Sequence, residues 1–189
     1  AFRKGLAKAG FQVDCALDVL GYLGTDIRAG KVVGNHILRA VPYGYDQDSG
    51  LGFKVVVVPL TGFLLLGGLE YAADMVTLTT DLAVQASGLT YAYDSSRPAA
   101  AALGKLSRLD PSSVRVNGEP VAANLNKVFK VAMSDKVFRF FNDVAGGGLT
   151  AVPTGLSRYA VVRDYMKSLK LIQYKSEGRI KDTAPVSAR

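Results

Sequence analysis

Apolar residues recur along this chain in two rhythms, near 3.6 and near 2 residues, and these set the predicted elements. Residues 1–11 (AFRKGLAKAGF) read as a short amphipathic helix, and VDCALDVL (13–20) as a buried strand. A glycine-rich loop follows, GYLGTDIRAG (21–30), in which Gly21, Gly24 and Gly30 allow either positive φ or close approach of backbone N–H groups to a ligand. HILRAVPYG then leads into a polar loop, YDQDSGLG. The β-branched run FKVVVVPL (53–60) predicts a strand. Thr61 is the N-cap of a helix over TGFLLLGGLEYAADM, whose spacing puts Leu64, Leu65, Gly68, Leu69 and Ala72 on one face.

GLTYAYD (88–94) alternates as a strand and passes into turn residues, SSRP. Residues 103–121 predict two strands with Asn117-Gly118 as the hairpin turn, and KVFKVAMSD (127–135) a further strand. KVFRFFNDVAGGGLT ends in a second glycine-rich loop, and SRYAVVRDYMKSLK (157–170) is an amphipathic helix. Strands and helices mix without regular βαβ spacing, so the expected fold class is α+β, mixed sheets with packed helices. No repeat or linker divides the sequence, and residues 1–189 are expected to form one domain.

Composition narrows the function classes. The chain is 49% hydrophobic and 21% charged, a globular balance without disordered bias. No membrane span is expected, because the most apolar stretch, KVVVVPLTGFLLLGGLEYAAD, is broken by Pro59, Thr61 and Gly62 short of the roughly 18 residues required. With no initiator Met and no signal-peptide pattern, the sequence reads as a mature or excised piece. The net charge of +7 suggests anionic partners. Its basic residues are scattered, apart from Lys167, Lys170, Lys175, Arg179 and Lys181, which read as a solvated helix face and tail. Aromatic-interleaved basic strands are missing, so no nucleic-acid partner is expected. Cys15, the single cysteine, reads as a small core residue.

One motif suggests metal chemistry. Gly34-Asn35-His36 spells the start of a metal-binding loop of calcineurin-like metallophosphatases. A two-metal centre, with ions about 3.5–4 Å apart, needs clustered His, Asp and Asn ligands from several loops. His36 is the only histidine, and Ile37 follows it where an acid is required. It reads as an ordinary structural histidine.

Taken in order, the segments resemble the C-terminal domain of the 5'-nucleotidase / UDP-sugar hydrolase family. LGYLGTDIRAG resembles the family's Gly-Gly-rich loop with Ile-Arg, and Ala-Val-Pro-Tyr-Gly (40–44) its Leu-Pro-Phe-Gly. VVVVPLTGFLLLGGLE (55–70) resembles its strand, Leu-Thr-Gly and apolar helix. GLTYAYDSSRP (88–98), VNGEPVAANLNKVFKVAMSD (116–135), AGGGLT and VVRDYMKSLKLIQYKSEGRI match its later strands, its Gly-Gly-Asp-Gly-aromatic loop and its final helix.

The resemblance implies a substrate-binding domain that positions a nucleotide or related phosphate ester. Catalysis would belong to an N-terminal metallophosphatase domain of the same polypeptide, holding two divalent metals. This chain would hold no cofactor, would be inactive alone, and would come from a periplasmic, cell-surface or secreted enzyme. Family site positions carry over to Gly24, with Arg28 four residues on as an anion contact, to Arg97 after Tyr-Asp, and to Gln85 in DLAVQASG (81–88). In the second loop they carry over to Gly146, to Gly147 in place of the acid, and to Leu149 in place of the stacking aromatic. The first stacking aromatic is also replaced, by Ala83, Val84 and Gln85, and the nearby Tyr22, Tyr43 and Tyr45 read as buried or rim residues. The alternative is a non-catalytic binding or structural module with an eroded nucleotide pocket.

Overall fold

A computed structural model describes residues 1–42, 52–101, 104–173 and 176–185. Tyr43, Gly44 and Tyr45, and with them the end of Pro-Tyr-Gly, lie outside the described residues, as does Lys175.

The chain forms α1 (Phe2–Lys8), β1 (Cys15–Val19), α2 (Gly34–Ala40), β2 (Lys54–Thr61), α3 (Gly62–Met75), β3 (Val84–Ser87) and β4 (Leu89–Tyr93). It continues with β5 (Leu109–Val116), β6 (Glu119–Pro120), β7 (Val128–Ser134), α4 (Asp135–Val144), β8 (Val152–Ser157), α5 (Arg158–Lys167) and β9 (Ile180–Asp182). The fold is α+β. One sheet has the order β3-β1-β7-β2-β8 and the other β6-β5-β4-β9. Pairing is antiparallel except for β1 with β7 and β4 with β9.

The five-stranded sheet is covered on both faces, which explains why β2 reads as an unbroken apolar run. Its side chains alternate between two cores. Val56, Val58 and Leu60 join Cys15, Val131 and Met133 under α3 and the second sheet. Val55 joins Ala16 and Ala132 under α1, α2 and α5. Small residues on this second face let helices approach closely: a Cβ on Gly5 of α1 would come within 2.5 Å of the Val161 carbonyl of α5.

Thr61 does cap α3, its hydroxyl accepting from the Leu64 N–H at 3.3 Å. The buried face is rotated from the predicted one: Leu65, Leu66, Leu69 and Ala73 are buried, while Leu64 and Ala72 are half-buried. The rotation arises because α3 packs against β5 as well as β2, so its contact arc is broader than one stripe. Asn117 (φ 51°) and Gly118 (φ 86°) make the predicted turn between β5 and β6. Five elements had no assignment in the sequence, α2, β3, α4, β8 and β9, all of ten residues or fewer. Cys15 is fully buried, and burial pushes its thiol up to about 12.

Glu70 links the two layers. It is 3% exposed on α3, and its carboxylate accepts the N–H groups of Arg108 (2.9 Å) and Leu109 (2.8 Å) at the start of β5.

Candidate functional site

Above the five-stranded sheet, α3 and α4 diverge over a groove of about 380 Å³. Leu17, Leu60 and Met133 contribute from the strands, while Leu65, Leu69, Ala72 and Met75 contribute from α3. The α4 side is set by helical spacing: Lys136, Arg139, Phe140 and Asp143 recur at i, i+3, i+4 and i+7, and all line the groove. Ser134 starts this helix, its buried hydroxyl accepting the Val137 N–H at 3.2 Å. Gly68 fixes how closely the helices meet, since a Cβ there would lie 2.5 Å from the Phe141 ring. Beside it, Tyr71 and Phe140 pair across the helices with ring centroids 5.7 Å apart.

The rim is charged. Lys136 and Arg139 are exposed, and neither forms an ion pair among the described residues. Asp18 closes the end of the groove beside Tyr22. Its carboxylate accepts from Arg158 Nη2 at 2.6 Å and from the Val19 N–H at 3.1 Å; burial pushes the carboxyl up and the guanidinium pulls it back. Arg158, the first residue of α5, is 1% exposed and also donates to the Tyr22 carbonyl at 3.1 Å. Its guanidinium lies between rings, 5.9 Å from the Phe2 centroid and 5.7 Å from that of Tyr22, and Tyr22 meets Phe53 edge-on at 5.5 Å. Burial, with the Asp18 carboxylate nearby, pushes the Tyr22 phenol up. One buried ion pair therefore fixes β1, α5 and the turn at Leu20–Tyr22 beside the groove.

Tyr22 belongs to the first glycine-rich loop (21–30), which continues toward α2. The Gly24 N–H donates to the Ala40 carbonyl (2.9 Å) and the Thr25 N–H to that of Arg39 (3.0 Å), joining the loop to the end of α2. A Cβ on Gly24 would overlap the Arg39 carbonyl and lie 2.8 Å from the Pro42 ring. Arg28 is exposed in this loop, in a shallow concavity shared with Gly24, Lys31, His36 and Arg39, where Asp26 is the acid. His36 takes part in starting α2, Nδ1 accepting the Val33 N–H at 3.4 Å. Among the described residues no cluster of three or more His, Cys, Asp or Glu side chains could hold a metal ion.

Gly24 and Arg28 thus share one concavity; the other expected site residues lie elsewhere. Gln85 is exposed on β3, opposite Asp18 in register, while its neighbour Val84 lines the groove. Arg97 holds a surface turn, pairing with Asp94 at 3.4 Å and donating to the Ser107 carbonyl at 3.2 Å. Gly146 and Gly147 have φ of +84° and +83° and close the end of α4 on itself: Gly147 N–H donates to Asn142 O at 2.7 Å. The Leu149 N–H donates to Asn142 Oδ1 at 2.8 Å, and its side chain packs on the core. Sequence reasoning missed Lys136, Arg139 and Phe140, although their helical spacing in KVFRFFND was visible. It also missed Asp18 with Arg158, and no local pattern joins residues 140 positions apart.

Comparison with known proteins places this arrangement. The family model for the 5'-nucleotidase C-terminal domain matches residues 1–140. No curated protein matches the chain. Among solved structures it is similar to a 5'-nucleotidase precursor from Thermus thermophilus, with 26% identity and a TM-score of 0.77 over 97% of this chain and 35% of that one. It is similar in fold to the NAD nucleotidase NadN of Haemophilus influenzae (21% identity, TM-score 0.72, 92% of this chain and 30% of that one). The fold also matches the Thermus thermophilus sulfate thiohydrolase SoxB, with 18% identity and a TM-score of 0.63 over 95% of this chain and 30% of that one. The chain spans about a third of the length of these proteins. No helix among the described residues is long and apolar enough to cross a membrane. With the family pattern running through 140 of its 189 residues and the fold shared across nearly its whole length, this chain belongs to the 5'-nucleotidase C-terminal domain family.

Proposed function

We propose that this chain is the substrate-binding domain of a 5'-nucleotidase-like phosphoric ester hydrolase acting on nucleotides or related phosphate esters. In this reading residues 1–189 act as one domain beside an N-terminal metallophosphatase domain. Two divalent metals in that partner domain would supply the activated hydroxide. The work of this chain is to bind and orient the ester. Arg28, in the loop concavity apart from the groove, serves as an anion contact, and the groove, with Lys136 and Arg139 on its rim, takes the organic part of the substrate. The observation that carries the reading is an apolar groove whose rim bears two cations without ion pairs among the described residues, in a chain of this family. Such a site matches an anion with an apolar body. The reading also assigns the whole enzyme to the periplasm, the cell surface or the space outside the cell.

Calorimetric titration of the 189-residue chain with AMP, UDP-glucose and simple phosphate esters tests it. Binding that weakens about tenfold in Arg28→Ala is expected, as for loss of one charge-assisted contact. No turnover is expected with added Mn²⁺ or Zn²⁺; robust hydrolysis by this chain alone would overturn the division of labour. A second reading, a non-catalytic binding or structural module, is favoured by the self-closed 145–149 loop and by Leu149 packing into the core. Failure of every phosphate ester to bind would select it.

A further inference from the structure

Granting that the groove holds the organic part of the substrate, we infer that this part is an apolar chain or ring rather than a nucleobase. The preferred ligand would be a phosphate monoester of a hydrophobic alcohol. The inference rests on the substrate-domain reading and sharpens it.

A nucleobase carries ring nitrogens and exocyclic groups that need partners once water is removed. Apart from the Tyr22 and Tyr71 hydroxyls, Asp18 and the rim charges Lys136, Arg139 and Asp143, the groove lining offers no polar side chain among the described residues. Among the described residues its lining contains no Asn, Gln, Ser or Thr side chain. The walls and floor are mainly Leu, Val, Met, Ala and Phe side chains. Asp18, the acid beside Tyr22, is already engaged by Arg158 and the Val19 N–H. The two tyrosines that line the groove, Tyr22 and Tyr71, each meet a phenylalanine ring, Phe53 and Phe140. Met75 and Met133, soft and unbranched, suit a flexible hydrocarbon better than a flat heterocycle of fixed outline.

The charged groups sit where such a ligand's head would be. Lys136 and Arg139 stand one helical turn apart on the exposed side of α4, directly on the rim. Asp135, one turn before Arg139, and Asp143, one turn beyond it, form no ion pair with either cation. An amphiphile with a phosphate head and an apolar body would therefore satisfy both halves of the site at once.

The test is calorimetric titration of the 189-residue chain with hexyl, octyl and decyl phosphate below their critical micelle concentrations, set against octanol, AMP and inorganic phosphate. The inference expects affinity to rise by about fourfold per added methylene, the factor for burying one CH₂. It expects the combined Lys136→Ala and Arg139→Ala change to weaken octyl phosphate at least tenfold while leaving octanol unchanged. It also expects Ala72→Phe, which fills the groove from α3, to abolish the chain-length dependence. A circular dichroism melt of each variant confirms that it is folded, and Ala72→Val serves if the phenylalanine variant is not. AMP or UDP-glucose binding tightly, with no rise in affinity along the alkyl series, would overturn this inference and leave the substrate-domain reading standing. Failure of both nucleotides and alkyl phosphates to bind would overturn both. Alkyl binding that ignores both sets of substitutions would mark non-specific adsorption and refute the groove as the site.

Discussion

Replacing Arg158 by methionine isolates what the buried ion pair contributes. The substitution keeps a long apolar stem but removes a guanidinium that is 1% exposed and lies between the Phe2 and Tyr22 rings. The Asp18 carboxylate then loses its 2.6 Å partner while remaining 8% exposed, and the Tyr22 carbonyl loses a donor. Breaking one side of a buried pair costs about 3–5 kcal/mol, because a charge is left without compensation. A domain of this size is expected to have an m-value of about 2–3 kcal/mol per molar urea, so the unfolding midpoint should fall by about 1.5 M. Urea titration followed by far-ultraviolet circular dichroism measures it. The double replacement Asp18→Leu with Arg158→Met removes both charges and should recover most of the loss, as isosteric apolar replacements of buried pairs do. If the single variant loses less than about 1 kcal/mol, or the double variant is no more stable than the single, the pair is not the fixed point argued here.

Three further outcomes are expected. Glu70→Gln replaces one of two acceptor oxygens by an NH₂ group facing the Arg108 and Leu109 N–H groups; the loss should be about 2–3 kcal/mol by thermal denaturation, and the undiminished stability of that variant would refute the bridge between layers. Gly24→Ala forces the loop away from the Arg39 carbonyl at a cost of about 1–3 kcal/mol, and hydrogen exchange at the Gly24 and Thr25 amides should speed up more than exchange in β7. Cys15 should not react with a thiol reagent at about pH 8, below the ordinary thiol value, until the chain unfolds. Because its folded-state value is raised from 9.0 to about 12, the unfolded chain releases the proton first, and stability should decline as pH rises through that window. The slope attributable to the thiol is read by comparison with Cys15→Ala, and identical pH profiles would refute it.

Much of the scaffold was legible because its signals are local. β2 announced itself by four consecutive valines, α3 by its Thr61 cap, and the β5–β6 turn by Asn117-Gly118. The elements that escaped assignment, α2, β3, α4, β8 and β9, span seven, four, ten, six and three residues, and their places depend on partners distant in sequence. The family motifs placed Arg28 and Gly24 together on one loop, which the fold brings into a single concavity. They did not reveal the groove, since that depends on Gly68 admitting Phe141 and on Arg158 reaching back to Asp18. Such contacts have no spacing rule to read. They emerge only once the sheet order is known.

The segment after α4 closes the molecule. β8 covers one edge of the valine strand, α5 brings Arg158 to Asp18, and β9 joins the second sheet beside β4. On a ribosome, everything through β7 emerges first, with β2 lacking its outer neighbour and Asp18 lacking its cation. Contacts of this sequence range slow folding, and an open edge of consecutive valines is a template for pairing with another nascent chain. A polypeptide stopped after residue 140, where the family model's match ends, would carry most of the familiar motifs yet be a sticky, unsealed intermediate. Order in this protein is thus completed from its C-terminal side, and expression boundaries should respect β9 rather than the end of that match.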